Sequence, residues 1–391
     1  MVDIDRKKIE SLKEYVQGVV DNGDGKALYL KYKEDIETVT PQECFEIFTS
    51  KLEKGYTPKD VLKILDKVIN VFHKPLSNYS WKKPKEDSFL YYLIKENEAL
   101  TKKLEEIKKI ILNKEVEIKK DELLVRVKKL EEFNQHYLKK ENILFPYLEK
   151  KMDRFHGLTI MWSLHDEARK NIKRVENLLE SENMSVEEFN KEIGSLFFTL
   201  LGIVKKEKLI LFPASMEVIS DEEWEDMHAQ SMDYGFPFIQ KPALEKKEKL
   251  DLYGLEATKF KTNTGELNFE QMMLLLNALP VDLTFVDENN KVRFFTRPKD
   301  RIFPRSPAVI GRDVENCHPS ESVDVVNKII EAFKDGSKDS ARFWIDLKGR
   351  KILIQYFALK NSKDEYKGVL EVSQDITGIR ELEGERRLLE W

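Results

Sequence analysis

The sequence has little of several features that define common classes of protein. Two cysteines, Cys44 and Cys317, are too few for a disulfide framework or a four-thiolate metal cluster. No apolar run approaches the roughly 20 residues that cross a bilayer, and the N-terminus lacks the apolar stretch of a signal peptide. Lys and Arg (66) do not outnumber Asp and Glu (71), which argues against a nucleic-acid binder. We therefore expect a cytoplasmic protein with no nucleic-acid partner and no transmembrane segment.

The sequence that is present divides into regions of different pattern. Apolar residues recur at helical spacing up to about residue 220, and short alternating apolar runs with turn residues between them follow from about residue 266. The fold class we predict is multidomain, with an all-α part followed by an α+β domain with an antiparallel sheet. The predicted parts are a helical N-terminal domain of unknown role (1–80), a four-helix bundle (86–225), a linker (226–265), the α+β domain (266–380) and the start of an output or dimer helix (381–391).

Four long helices are predicted in the bundle, and each carries a polar residue on or beside its apolar stripe. They are Glu96 on the first helix, His136 and Glu141 on the second, His165 on the third and Glu207 on the fourth. Glu and His side chains that converge from facing helices build non-haem iron or manganese sites in bundles. In the alternative interpretation, each glutamate reaches water, pairs with a lysine or lies at a helix end.

Several motifs resemble known families. HYLKKENILFP (136–146), MWSLHDEAR (161–169) and KKEKLILFP (205–213) resemble the hemerythrin-like (HHE) cation-binding bundle, in a subfamily with a helical N-terminal domain of unassigned role and a C-terminal PAS domain. The runs VIGRDVENCHP (309–319) and QDITGIREL (374–382) resemble such a PAS domain. The resemblance implies a non-haem iron or other divalent metal site in the bundle. It also implies a PAS module that binds haem or another small ligand, or that dimerises.

The bundle departs from the family pattern where the resemblance leads us to expect metal ligands. Ser88 and Tyr91 stand where histidines are expected in the first helix, and Lys208 stands where a glutamate is common. The histidines that remain in this region are His136, His156 and His165. We therefore predict a ligand-depleted metal site made of Glu96, His136, Glu141, His165 and Glu207, or a bundle that has lost its metal.

Cys317 and His318 form the other pair of soft ligands. They are candidates for binding haem or a transition metal in the PAS domain. The alternative is a structural turn before a helix that begins near Ser320.

These observations support one leading hypothesis and two alternatives. The leading hypothesis is a cytoplasmic sensory or regulatory protein that is not an enzyme. It would respond to iron, oxygen or a redox signal and deliver its output through a protein partner, or through a homodimer formed by the PAS domain and the C-terminal helix. The first alternative is a non-haem iron enzyme or iron-handling protein acting on oxygen, peroxide or nitric oxide. The second is a structural adaptor without a cofactor.

Overall fold

The chain forms two compact units, Met1–Ala243 and Leu244–Trp391. The structure, a computed structural model, describes residues 5–112, 116, 119–152, 155–243, 259–318 and 320–385. Among these residues no helix is both long enough and apolar enough to cross a membrane.

The N-terminal region contains five helices where the sequence predicted about four. They are α1 (Arg6–Val20), α2 (Gly25–Lys31), α3 (Lys33–Glu37), α4 (Pro41–Glu53) and α5 (Pro58–Asn78). The additional break falls at Tyr32, between α2 and α3. Thr40 and Thr57 cap α4 and α5, each with a proline in the first turn and an acidic side chain that completes a capping box.

Four helical rods follow and form the bundle. They are α6 (Phe89–Leu112); α7 (Lys120–Lys129), α8 (Asn134–Lys139) and α9 (Phe145–Lys151); α10 (Leu158–Glu180); and α11 (Val186–Lys206) with α12 (Phe212–Val218). A 3₁₀ turn, Leu130–Phe133, joins α7 to α8. The apolar faces of the rods and of the N-terminal helices share one hydrophobic core, so α1–α5 pack directly on the bundle.

A π-helical turn interrupts the second rod and the fourth rod at equivalent places. The two turns are Lys140–Leu144 and Glu207–Leu211, and each is followed by Phe-Pro. A proline within a helix donates no backbone N–H and crowds the carbonyl four residues before it. A wider turn at that place accommodates both effects, and it turns more consecutive residues inward than a regular α-helix does.

The first unit continues beyond the fourth rod. Helix α13 (Asp221–Ser231) follows, and Tyr234 and Phe236 are buried after it. The N-terminal end of the predicted linker, 226–265, therefore packs as helix and as a covering segment. Residues 244–258 of that linker lie outside the described residues.

The second unit is an α+β domain. A hairpin of β1 (Lys259–Thr262) and β2 (Gly265–Asn268) precedes α14 (Phe269–Ala278). An antiparallel sheet in the order β4-β3-β7-β6-β5 follows, with α15 (Ser320–Lys334) between its second and third strands along the chain. The strands are β3 (Asp282–Asp287), β4 (Val292–Phe295), β5 (Ser340–Leu347), β6 (Arg350–Lys360) and β7 (Tyr366–Asp375). The predicted fold class, helical regions followed by an α+β domain with an antiparallel sheet, is confirmed.

The end of the chain was predicted to start an output or dimer helix at 381–391. The described part contains a short 3₁₀ turn, Gly378–Glu381, and extends to residue 385. Residues 382–385 of the predicted helix are described and are not helical, and residues 386–391 lie outside the described residues.

Candidate site in the bundle core

The five polar residues predicted on the apolar stripes meet in the core of the bundle. Glu96, His136, His165 and Glu207 are 0% exposed and Glu141 is 1% exposed. The π turns help to bring them together, because Glu207 begins one turn and Glu141 lies second in the other. The sequence pattern thus selected residues that share one interior region.

One half of the cluster is built around His136. Its Nδ1 lies 2.8 Å from Oε2 of Glu96 and its Nε2 lies 3.1 Å from Oε2 of Glu207. The ammonium group of Lys139 donates to Glu96, and Asn97 Nδ2 donates to Glu207 Oε2 at 2.6 Å. A carboxylate on each side therefore faces the imidazole of His136.

The other half is built around His165. Its Nδ1 lies 2.8 Å from Oε1 of Glu141, and its Nε2 lies 2.9 Å from the ammonium nitrogen of Lys140. Lys140 also donates to Glu207 and so joins the two halves. The guanidinium of Arg169 donates to both oxygens of Glu141, at 2.9 and 3.0 Å.

The two imidazoles are held against aromatic rings. The ring of His136 stacks on Phe133 at 4.6 Å between centroids, and the ring of His165 stacks on Tyr137 at 4.4 Å. These contacts fix the planes of both imidazoles. The polar groups can therefore meet in only a few orientations.

Each carboxylate of the cluster is paired with its own cation. Glu96 pairs with Lys139, Glu207 with Lys140 and Glu141 with Arg169. Buried carboxylates and ammonium groups are stable only when charge and hydrogen bonding are both satisfied. The cluster is thus balanced by cations that the chain itself supplies. Sequence reasoning missed all three.

Burial dominates the pKa shifts in the cluster. It raises the pKa of Glu96 to about 7, against the lowering effect of Lys139. It lowers the pKa of Lys140 well below its ordinary value, against the raising effect of Glu141. Burial lowers the pKa of His136 and of His165 as well, and the charge of Lys140 adds to both shifts.

The charge state of Lys140 decides which nitrogen of His165 carries the proton. When Lys140 is an ammonium, which only donates, Nε2 accepts from it and the ring proton lies on Nδ1, facing Glu141. His136 differs, because both of its nitrogens face carboxylate oxygens. A neutral imidazole has one N–H to donate, so both contacts can be hydrogen bonds at the same time only when the group formed by His136, Glu96 and Glu207 holds one additional proton.

These contacts do not fit a metal centre. The Nε2 lone pair of His165 and one oxygen of Glu207 are the atoms that would bind a metal, and both accept hydrogen bonds from Lys140. Both oxygens of Glu141 are held by Arg169. Among the described residues, no group of three or more His, Cys, Asp or Glu side chains is arranged to hold a metal ion. Metal ligation by the five residues stays a prediction, and this arrangement argues against it.

The third histidine of the bundle and the two carboxylates that follow His165 in sequence lie apart from the cluster. His156 is exposed. Asp166 accepts from Arg169, and Glu167 accepts from Arg174. Neither carboxylate contacts the imidazole of His165 through a described hydrogen bond.

In the second unit, Cys317 and His318 both bond to the preceding turn. Cys317 lies at the end of a 3₁₀ turn, Val314–Cys317, and its Sγ donates to the carbonyl of Asp313 at 3.6 Å. Nδ1 of His318 donates to the carbonyl of Val314 at 2.8 Å, and burial lowers the pKa of its imidazole. This geometry accounts for both side chains structurally, and haem or metal binding by them stays a prediction.

Comparisons with known proteins agree with this architecture. Residues 88–215 match the hemerythrin HHE cation binding domain, and residues 272–377 match a PAS domain. The chain therefore joins a hemerythrin-like domain to a C-terminal PAS domain, and the resemblance predicted from the sequence is confirmed.

Solved structures match one part of the chain each. A C-terminal domain from Streptococcus mutans is 32% identical, with a TM-score of 0.32, and the match covers 33% of this chain and 99% of that one. A PAS domain from Colwellia psychrerythraea is 14% identical, with a TM-score of 0.23 and coverage of 28% and 97%. A sensory box sensor histidine kinase from Vibrio cholerae is 16% identical, with a TM-score of 0.22 and coverage of 27% and 90%. Among curated proteins, none matches the chain.

Proposed function

We propose that this protein is a sensory or regulatory protein and not an enzyme, and that its hemerythrin-like centre is an internal charge cluster closed by Lys140. The proposal rests on the ammonium of Lys140, which contacts both the carboxylate of Glu207 and the imidazole of His165. A PAS domain on the same chain supports the regulatory role. The output would pass through a protein partner or a second copy of the chain in the cytoplasm.

Burial and pairing of the cluster support a role without catalysis. Its two imidazoles and three carboxylates are at most 1% exposed, so a substrate has no path to them in this arrangement. Each carboxylate already accepts hydrogen bonds from a protein cation. A group that is both buried and fully paired is a poor general base or nucleophile.

The second candidate is a non-haem iron protein that uses the same residues. Two histidines and three glutamates in one interior region are the ligand types that iron prefers, which favours this candidate. Iron would have to displace Lys140 from Glu207 and His165, because one oxygen and one nitrogen cannot bind both cations. The two candidates therefore predict different metal contents for the unaltered protein.

The iron content of the purified protein distinguishes the two candidate functions. Full-length protein, Lys140→Glu and Lys191→Glu would be incubated anaerobically with ferrous iron, desalted and analysed by elemental mass spectrometry. Lys191 is an exposed lysine of α11, so its variant is a control with the same change of charge. We expect far less than one iron per chain in the unaltered protein and in the control, and a clear gain in Lys140→Glu, because a carboxylate replaces the ammonium beside the imidazole of His165 and the carboxylate of Glu207.

The opposite result would identify the iron protein. An unaltered chain that keeps about one iron, and loses it when Glu207→Gln is introduced, refutes the lysine-closed centre. The second candidate then takes its place.

The regulatory role is tested by communication between the two domains. Hydrogen-exchange mass spectrometry would compare the unaltered protein with Lys140→Met and follow peptides from 272–377. We expect changed exchange in the PAS domain, because a sensory role requires that a change in the bundle biases the other domain. Identical exchange in all PAS peptides contradicts a regulatory connection.

A further inference from the structure

A small cavity lies at the interface between the N-terminal helices and the bundle. Its volume is about 50 Å³, and its walls come from α4, α5, the start of α10 with the turn before it, and the π turn of the fourth rod with the residue before that turn. Every residue that lines the cavity is buried. None of the five residues predicted for the bundle site lines it, and the proposed function gives it no role.

The walls of the cavity are apolar. They consist of Leu, Ile, Phe and Met side chains together with Cys44, Gly157 and Lys206. The ammonium of Lys206 already donates to Asp66 at 2.6 Å, and the N–H of Gly157 donates to Oγ1 of Thr49 at 3.1 Å. Burial raises the pKa of the Cys44 thiol, which therefore stays uncharged. A buried water needs two to four polar partners, so walls of this kind favour an apolar occupant.

Polar contacts around the cavity fix the distance between its walls. Besides the two contacts just described, Nε2 of Gln42 on α4 donates to the carbonyl of Ala214 on α12 at 3.1 Å. Together they join α4 and α5 to the third and fourth rods and limit how far the walls can move inward. Empty space between walls that cannot collapse destabilises a fold. A molecule of matching size restores the missing dispersion contacts.

The volume of the cavity limits the size of its occupant. A water molecule needs about 10–15 Å³ of such space, and an apolar cavity of about 150 Å³ accepts benzene or xenon. The present cavity, at about 50 Å³, lies between these two volumes. It therefore suits a xenon atom or a molecule of about two or three non-hydrogen atoms. Apolar molecules of that size are dissolved gases.

We propose that this cavity binds a small apolar gas molecule, and dioxygen is the gas that we test. Binding is by contact alone, so that no bond forms and no electron is transferred. The inference deepens the proposed function and rests on it for the role of the ligand, because it names the class of signal for a regulatory protein.

The walls of the cavity belong to the helices that carry the charge cluster. Met161 lines the cavity and lies one helical turn before His165 on α10. The lining of the fourth rod begins with the residue before Glu207 and includes the last two residues of the π turn that Glu207 starts. An occupant that alters the packing of these walls therefore acts on both partners of Lys140.

Xenon tests the site, because it is an apolar atom of the appropriate size. Full-length protein with isotope-labelled methyl groups would be placed under increasing xenon pressure and followed by methyl NMR spectroscopy. We expect saturable chemical-shift changes at the lining methyls of Ile160, Met161 and Ile210. The reference methyls are those of Ile107 and Ile172, which are buried in the same core and do not line the cavity. We expect their changes to be about threefold smaller or less, because close-packed walls leave no space for xenon.

Two substitutions of one residue distinguish filling of the cavity from loss of the thiol. Cys44→Leu adds volume at a lining position, and we expect the xenon-dependent shifts to fall about fivefold or more, because the space is occupied. Cys44→Ala removes the thiol and leaves the cavity open, and we expect the shifts to remain. Leu65→Phe fills the cavity from α5 and provides a second filling variant if Cys44→Leu does not fold.

Dioxygen is then compared with dinitrogen at equal pressure. Both molecules are apolar and similar in size, but dioxygen is paramagnetic and speeds the relaxation of nuclei beside it. We expect the increase in relaxation rate under dioxygen to be about threefold or more larger at the lining methyls than at the reference methyls, because dioxygen collects in the cavity. We expect no such difference in the filling variant.

Three results would overturn the proposal: no saturable shift at the lining methyls, equal shifts in the unaltered protein and the filling variants, or equal relaxation by dioxygen at the lining and reference methyls. The measurements need neither iron nor a measured output. Their failure leaves the lysine-closed centre standing, whereas failure of the iron and exchange experiments removes the regulatory role and leaves the cavity site standing.

Discussion

Substitution of Lys140 by methionine tests the central contact of the bundle. The change keeps the length of the side chain and removes the ammonium, which is 0% exposed and donates to Glu207 and His165. Removing one partner of a buried ion pair costs about 3–5 kcal/mol. In the variant, Glu207 still accepts a hydrogen bond from Asn97 and contacts His136. We therefore expect the bundle to lose about 3 kcal/mol of stability, which is the lower end of that range.

A second substitution shows where the cost arises. In Lys140→Met with Glu207→Gln, the position facing the methionine carries no charge, and the amide can still accept from Asn97. We therefore expect the double variant to be more stable than Lys140→Met alone by about 2 kcal/mol, because no uncompensated carboxylate remains buried. A recovery of stability of this size on removal of the second charge identifies an ion pair and not a loss of packing.

The assay has to report on the bundle alone, since a chain of two units does not unfold in one step. Hydrogen-exchange mass spectrometry of peptides from α8, α9, α11 and α12 measures the opening free energy of these helices. A loss of 3 kcal/mol speeds their exchange about a hundredfold, whereas Lys208→Met, on an exposed side chain, changes it little. Unchanged exchange in Lys140→Met, or equal losses in the single and double variants, would falsify the buried pair.

Three further substitutions test other contacts, each followed by exchange or unfolding of the unit concerned. Arg169→Met leaves both oxygens of Glu141 without their guanidinium partner, and we expect a loss of about 3 kcal/mol in bundle stability. Gly368→Ala places a Cβ 2.1 Å from a carbonyl oxygen of β3 at a residue whose φ is +136°. We expect it to lower the stability of the PAS domain by about 2 kcal/mol or more. Gly349→Ala is the control, because Gly349 also has a positive φ but its Cβ would meet open space, and we expect a smaller loss. Burial and a hydrogen bond to a glutamate of α12 raise the pKa of Tyr79 to about 12 from 10.0. The stability that this hydroxyl contributes is therefore complete below pH 10 and is lost as the pH rises toward 12. Tyr79→Phe should remove this part of the loss of stability at alkaline pH, and an identical dependence of stability on pH in both proteins would contradict the assignment.

Helical periodicity was sufficient to predict where the polar cluster lies. Glu96, His165 and Glu207 lie on apolar stripes of separate helices, and such stripes face a shared core. Hairpin signals likewise predicted the antiparallel strands of the second unit. The break at Tyr32 was missed because no Gly or Pro marks it.

The partners of the cluster were harder to predict. Lys140 lies three residues after Tyr137 and four before Leu144, so it too falls on the stripe of the second helix. Because lysines are almost always exposed to water, the periodicity analysis did not include Lys140 among the inward-facing polar residues. The π turns also escaped prediction, because a regular α-helix does not bury Lys139, Lys140 and Glu141 together as this chain does.

The two π turns explain how a cation site and an ion pair can be built from one framework. If the two rods are aligned on the Phe-Pro that follows each turn, Lys140 corresponds to Glu207 and Glu141 corresponds to Lys208. The first residue of each turn is the one that binds across the core, and here one rod contributes an ammonium and the other a carboxylate. Two carboxylates at these equivalent positions would need a cation between them, whereas a lysine at one of them supplies that cation covalently. Under the proposed function, the order Lys-Glu in one turn and Glu-Lys in the other would let an ion pair take the place of a metal without altering the helices that carry it.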